Sequence, residues 1–146
     1  MRMVLDASVA VKWLLPEVGS EKARSVFSEW NAGRVELVAP NLLPAEIASA
    51  LWKKVRRKEA DRWHAAQLFW EFQHLNIPLL PAESLVSSAL DFAFLYGHPV
   101  YDCIYVALAV RERCRLLTAD DAIVRKFRNP KSGAKQLVCR LKDWQP

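Results

Sequence analysis

Cysteine is sparse in this chain, and what there is cannot build a scaffold. Cys103, Cys114 and Cys139 are an odd number without a CxxC pair, which excludes a disulfide framework and a structural zinc site. If one helix carries Cys103 and Cys114, they stand roughly 16 Å apart along its axis, beyond the ~7 Å that a disulfide bridges. Reduced thiols are expected. Long apolar runs are also missing: the longest stretch without Asp, Glu, Lys or Arg is Phe72 to Ala82, well short of the ~18 residues of a membrane helix. Asp6 and Lys12 interrupt Met1 to Leu15, and no small-residue cleavage site follows, so this start does not read as a signal peptide and a cytoplasmic location is expected. Glycine numbers only four, which excludes a collagen-like repeat, and neither an internal repeat, a low-complexity segment nor a linker is visible. Acidic residues are in the minority, 16 against 21 basic, giving a net charge of +5. A polyanion is a reasonable partner for such a chain.

What is present reads as one globular domain over residues 1–146: 52% of the residues are hydrophobic and 25% charged. Arg2 to Leu5 reads as a buried strand, followed by a helix from Ser20 to Asn31 that Gly33 stops. "VELVAP" is a second strand. The stretch from Asn41 to Asn76 holds two helices or one bent one, with Ile47, Leu51 and Val55 on one period and Ala65, Leu68, Phe69, Phe72 and Leu75 on another. "IPLLP" is a third strand, Ser84 to Tyr96 a helix ended by Gly97, and Pro99 opens a helix reaching about Arg113. "RLLTA", a short helix from Asp121 to Phe127, and "QLVCRL" complete the pattern. Strands alternating with helices predict an α/β three-layer sandwich, a mainly parallel sheet of about five strands with helices on both faces. Ligands then sit outside the carboxyl ends of the strands.

Asp6 is the anomaly. It ends an apolar run that reads as buried, and a carboxylate out of water needs compensation. Asp120 follows the fourth strand, so both should emerge on one edge of the sheet. Glu46 and Asp102 lie near helix starts that face the same edge. Each acid has an ordinary reading as a helix cap or first-turn residue, and either Asp120 or Asp121 suits the cap near Thr118. Together, four converging carboxylates repel one another unless divalent cations lie between them, and oxygen-only ligands favour Mg²⁺ or Mn²⁺ over zinc.

Four segments, "VLDASVAVKWLLPE", "APNLLPAEIASALWK", "HPVYDCIYVALAV" and "LLTADDAIVRKF", resemble in order the acidic motifs of PIN-domain ribonucleases, among them the VapC toxins of bacterial and archaeal toxin-antitoxin pairs. The resemblance spans nearly the whole chain. It implies a metal-dependent endoribonuclease that hydrolyses RNA phosphodiester bonds, with Asp6, Glu46, Asp102 and Asp120 as metal-binding carboxylates and Thr118 as a supporting hydroxyl. It also implies a cognate VapB-like antitoxin and a homodimer. Where many relatives carry Asn three residues after the glutamate, this chain has Ser49, and Asp121 beside Asp120 is a second candidate for the fourth acid.

Outside the four acids, 21 basic residues face 12 acidic ones, enough to steer RNA toward an acidic cleft. Lys53 and Arg57 follow Glu46 by seven and eleven residues and fall within roughly 20° of its helix face, where both could grip phosphates. His98 is a further candidate phosphate contact, and the run from Arg125 to Lys142 a second candidate surface. No histidine is needed as a base, since His64 and His74 lie on a Trp-rich helix. Trp63 and Trp70 on that helix suit either a core or an interface. A receiver domain would show paired acids after the first strand, and a haloacid-dehalogenase-like phosphatase a second Asp at position 8; Ala7 and Ser8 exclude both. A catalytically silent RNA-binding relative and a housekeeping RNA-processing nuclease remain as alternatives.

Overall fold

The computed structural model describes residues 1–128 and 136–146. In β1 (Arg2–Leu5), Met3, Val4 and Leu5 are all buried, as befits a strand covered on both faces. β1 pairs in parallel with β2 (Glu36–Pro40) on one side and β4 (Arg115–Thr118) on the other. β3 (Leu79–Leu80) extends the sheet beyond β2, and β5 (Val138–Arg140) beyond β4, all in parallel, for an order β3-β2-β1-β4-β5. The sandwich and sheet expected from the alternation are therefore present.

The helices are α1 (Ala7–Leu14), α2 (Ser20–Asn31), α3 (Leu43–Arg56), α4 (Arg62–His74), α5 (Val86–Tyr96), α6 (Val100–Arg111) and α7 (Asp121–Phe127). Alternation along the strands divides them into two layers. Met3, Leu5, Leu37, Ala39 and Leu117 point into a core with α1 to α4, whereas Val4, Val38, Leu116 and Val138 point into a second core with α5, α6 and α7. α6 is buried continuously from Cys103 to Ala109 because it is apolar on every side, the pattern of a central helix.

Local chemistry explains the boundaries and the differences from expectation. α1 is not evident in the sequence: it follows β1 with only Asp6 between, holds two valines, and has no side-chain cap. Burial of Val9, Ala10 and Val11 holds it, a tertiary rather than a local cause. The stretch from Asn41 to Asn76 resolves into two helices, the second capped by the Asp61 carboxylate, which accepts from the Trp63 and His64 N–H groups at 2.9 and 3.2 Å. Pro78 and Pro81 cannot donate to a ladder, so "IPLLP" shortens to two paired residues. Gly97 ends α5 at φ +59°, a left-handed conformation that suits glycine. Of the basic run from Arg125 to Lys142, residues 129–135 lie outside the described residues.

Candidate active site

Asp6 stands where β1 passes into α1, its N–H bonded to the Leu117 carbonyl at 3.1 Å, so neighbouring strands β1 and β4 end together. The side chain is only 6% exposed. Its Oδ2 accepts from Ser8 Oγ and from Thr118 Oγ1, both at 2.5 Å. Those hydroxyls are themselves fixed: Ser8 Oγ accepts from the Ala119 N–H and Thr118 Oγ1 from the Asp120 N–H, each at 2.9 Å. The charge at the end of an apolar strand is thus compensated by a small hydroxyl network. Burial still pushes the Asp6 carboxyl above its usual range, the hydroxyls oppose that, and the Asp102 and Asp120 charges add to it.

The other three acids share a cavity of ≈ 490 Å³ with Asp6, lined also by Ser49, Lys53 and Tyr101. Glu46 lies in the first turn of α3, and its Oε2 accepts from the Tyr105 hydroxyl of α6. Burial raises its pKa to about 7; the Tyr105 bond opposes the rise, Asp6 and Asp102 add to it, and Lys53 lowers it. Asp102, in the first turn of α6, lies 2.9 Å from His98 Nε2, close enough for charge pairing although off the line of a good hydrogen bond. Burial raises its pKa, His98 counters this, and Asp120 adds to it. Asp120 caps α7, accepting from the Ala122 N–H at 2.6 Å. The cap and the cavity are therefore served by one side chain.

Among the remaining sequence candidates, Thr118 and Ser49 do reach the site, and Lys53 forms part of its wall. Asp121 does not: it turns outward and pairs with Arg140 at 2.6 Å. Arg57 is not part of the cavity wall: as the C-cap of α3 it stands roughly 16 Å further along the helix axis than Glu46. His98 is buried at 9% exposure, lies against Asp102 and is not part of the cavity wall. Sequence reasoning missed Ser8, Tyr105 and Tyr101 as parts of the site. A hydroxyl two residues after Asp6 and a tyrosine one turn beyond Asp102 in a fully apolar helix were available signals, since a buried phenol needs a partner.

All four acids offer hard oxygen donors and crowd one cavity, which fits a divalent cation by chemistry. Among the described residues, however, no three such side chains stand close enough to hold an ion as they are. Each acid is drawn toward its own partner: Asp6 to Ser8 and Thr118, Glu46 to Tyr105, Asp102 to His98, Asp120 to the α7 amide. Mg²⁺ commonly keeps several waters and needs only one or two direct carboxylates, so the arrangement accommodates it without bringing every acid together.

A model of the PIN domain matches residues 3–128 of the chain. Ribonuclease VapC3 of Pyrobaculum aerophilum is 32% identical over 130 residues, covering 87% of this chain and 95% of that protein. The crystal structure of PAE2754, from the same organism, superposes with a TM-score of 0.71 at 20% identity, covering 97% of this chain and 85% of the other, a likeness of fold.

Proposed function

Because the chain belongs to the PIN-domain family, we propose that it is a VapC-type toxin, an endoribonuclease that hydrolyses RNA phosphodiester bonds with Mg²⁺ or Mn²⁺ held by Asp6, Glu46, Asp102 and Asp120. The observation that carries this reading is the gathering of those acids in one cavity at the carboxyl ends of β1 and β4. A relative named as a ribonuclease, matched over 95% of its length, supports it.

A divalent cation bound there supplies Lewis acidity, making water more acidic and neutralising charge that develops on the phosphate. The protein's part is to hold and orient. Ser8 and Thr118 keep Asp6 in place, and Tyr105 keeps Glu46, so the metal-binding oxygens are positioned before substrate arrives. Lys53 at the wall attracts a phosphate oxygen to an otherwise acidic pocket. Tyr101, 70% exposed on the rim, offers a flat face on which a base stacks. His98 is engaged with Asp102 and does not act as a base.

Two partners complete the reading. A VapB-like antitoxin restrains the enzyme, an Arg side chain of the antitoxin pairing with the clustered carboxylates and its apolar residues covering Trp63 and Trp70. A second copy of the chain forms a homodimer. Incubation of the purified protein with total cellular RNA, with and without Mg²⁺, followed by mapping of new ends, is the direct test. New ends that require metal are expected. Binding without any cleavage would favour a silent RNA-binding protein, and cleavage without an effect on growth a housekeeping nuclease.

A further inference from the structure

A second cavity, ≈ 310 Å³, adjoins the acidic one and has the opposite charge. Its wall carries Lys12, Lys22, Arg140 and Lys142, against the single acid Asp121. The two cavities share a partition. Ala119 and Asp121 face the basic side and Asp120, between them, the acidic side; on α1, Val11 lines the acidic cavity and Lys12 the basic one. Four carboxylates with one lysine thus stand beside four cations with one carboxylate.

Part of the basic cavity is built into the fold: Lys12, Lys22 and Arg140 are half-buried, while Lys142 is exposed at its edge. Lys12 is 15% and Arg140 28% exposed at the side chain. Gly19, at φ +87°, turns the chain into α2 and lies against the Lys12 stem, where a Cβ would meet Lys12 Cδ at 3.9 Å and Leu141 Cδ2 at 3.8 Å. Two of the cations are already partnered: Lys12 with Glu17 at 3.2 Å and Arg140 with Asp121 at 2.6 Å. Lys22 lies over the Trp144 ring at 5.5 Å, and neither it nor Lys142 has a carboxylate within ion-pair distance among the described residues. Two ammonium groups without an ion-pair partner, on a concave wall with four cations and one acid, make this side attractive to an anion.

We infer that this cavity is a phosphate-binding subsite, which receives a backbone phosphate of the RNA chain flanking the bond presented to Asp6, Glu46, Asp102 and Asp120. The inference rests on the nuclease reading above, because the shared partition would have one strand cross from the acidic to the basic side. It resolves an electrostatic conflict: a polyanion entering a carboxylate pocket is repelled by every unmetallated acid, and an adjacent cationic pocket anchors the strand. Sequence reading pointed to the run from Arg125 to Lys142, but it could not join Arg140 and Lys142 to Lys12 and Lys22.

The test compares Lys22→Ala/Lys142→Ala with Arg34→Ala/Arg111→Ala, a pair that removes the same charge at the opposite, amino edge of the sheet. Binding of a fluorescein-labelled, mixed-sequence 12-nucleotide single-stranded RNA is followed by anisotropy, in the Asp6→Asn background and without divalent metal. The cavity pair is expected to weaken binding roughly tenfold at 0.1 M salt and to lower the salt slope by about 1.4, as loss of two single-strand phosphate contacts requires; the edge pair should change affinity less than about twofold. Equal losses in both pairs, or none in the first, would overturn the inference. So would loss of binding to an oligoglutamate probe with RNA binding intact, which would assign the cavity to an acidic peptide. Metal-dependent cleavage by the wild-type chain is measured separately. If that fails while the cavity pair still loses RNA affinity, the nuclease reading falls and the cavity stands only as an RNA-phosphate site without a bond to cleave; if cleavage occurs with an unchanged KM in the cavity pair, the subsite falls alone.

Discussion

At the scale of single residues, the site is a set of acids each held by its own neighbours, two hydroxyls for Asp6 and one partner for each of the others, and the neighbours can be removed one at a time. Asp6→Asn and Asp102→Asn should each abolish metal-dependent RNA cleavage. Because they relieve repulsion among crowded carboxylates, metal-free thermal stability should stay level or rise. Near-wild-type cleavage by either variant would refute the assignment. Tyr105→Phe removes the hydroxyl that Glu46 accepts from and keeps the ring that packs in the α6 core. It should cost about 1 kcal/mol of stability. It should also weaken the stabilisation that Mg²⁺ confers in a thermal melt, a readout that packing alone does not move. Glu46 sets a pH dependence. Its folded pKa of about 7 lies above the ordinary 4.5, so the fold binds its proton more tightly than the unfolded chain does. That contribution is complete below about pH 4.5 and is lost as pH rises through about 7. Metal-free wild type should therefore lose stability relative to Glu46→Gln between pH 5 and 8, by about 1 kcal/mol once screening in an open cavity is allowed for. A difference independent of pH would show that Glu46 has an ordinary pKa.

At the scale of elements, α4 divides into a buried face that holds the fold and an exposed aromatic face. Ala65, Leu68 and Phe72 are buried against the first core, whereas Trp63 and Trp70 are 73% and 59% exposed. The sequence alone left these tryptophans between core and interface, and the helix phase takes them out of the core. Leu68→Ala should cost about 3 kcal/mol, the usual effect of emptying a buried leucine site. Trp63→Ser/Trp70→Ser should change stability by less than about 0.5 kcal/mol per site. The same pair should abolish capture by the antitoxin, as measured by co-purification. Retained capture would move the partner elsewhere. Three other tryptophans are structural: Trp13 stacks on Trp30 at 5.9 Å between ring centroids, and Trp144 is fully buried.

At the scale of the whole molecule, a parallel sheet with β1 at its centre brings the ends of β1 and β4 and the starts of α3 and α6 to one rim. No single helix among the described residues is long and apolar enough to cross a membrane, and α5 with its preceding turn meets α6 at 113°. If the VapC-type reading holds, expression of the chain alone should arrest growth, co-expression of the adjacent small protein should restore it, and Asp6→Asn should be harmless in either case. A folded, cleavage-competent wild-type chain that leaves growth and cellular RNA untouched would remove the toxin role.

The sequence by itself determined the alternation of strands and helices and the positions of the four acids, because period, proline and glycine placement, and a charge at the end of an apolar run are local facts. Helical spacing from Glu46 reached Lys53, and the resemblance to PIN-domain ribonucleases implied Thr118. Only the tertiary structure decided that Asp120 rather than Asp121 faces the cavity, since the two differ by one residue and Arg140, from β5, draws Asp121 away. Likewise, α1 exists through burial rather than propensity, and His98 turns inward because α6 presents Asp102 one turn away. Tyr105 and Glu46 are 59 residues apart, and Ser8 and Thr118 110 apart. No local pattern encodes such pairs. They form because β1 and β4 are neighbours in the sheet and α3 and α6 start at the same rim, which is a property of the packed molecule.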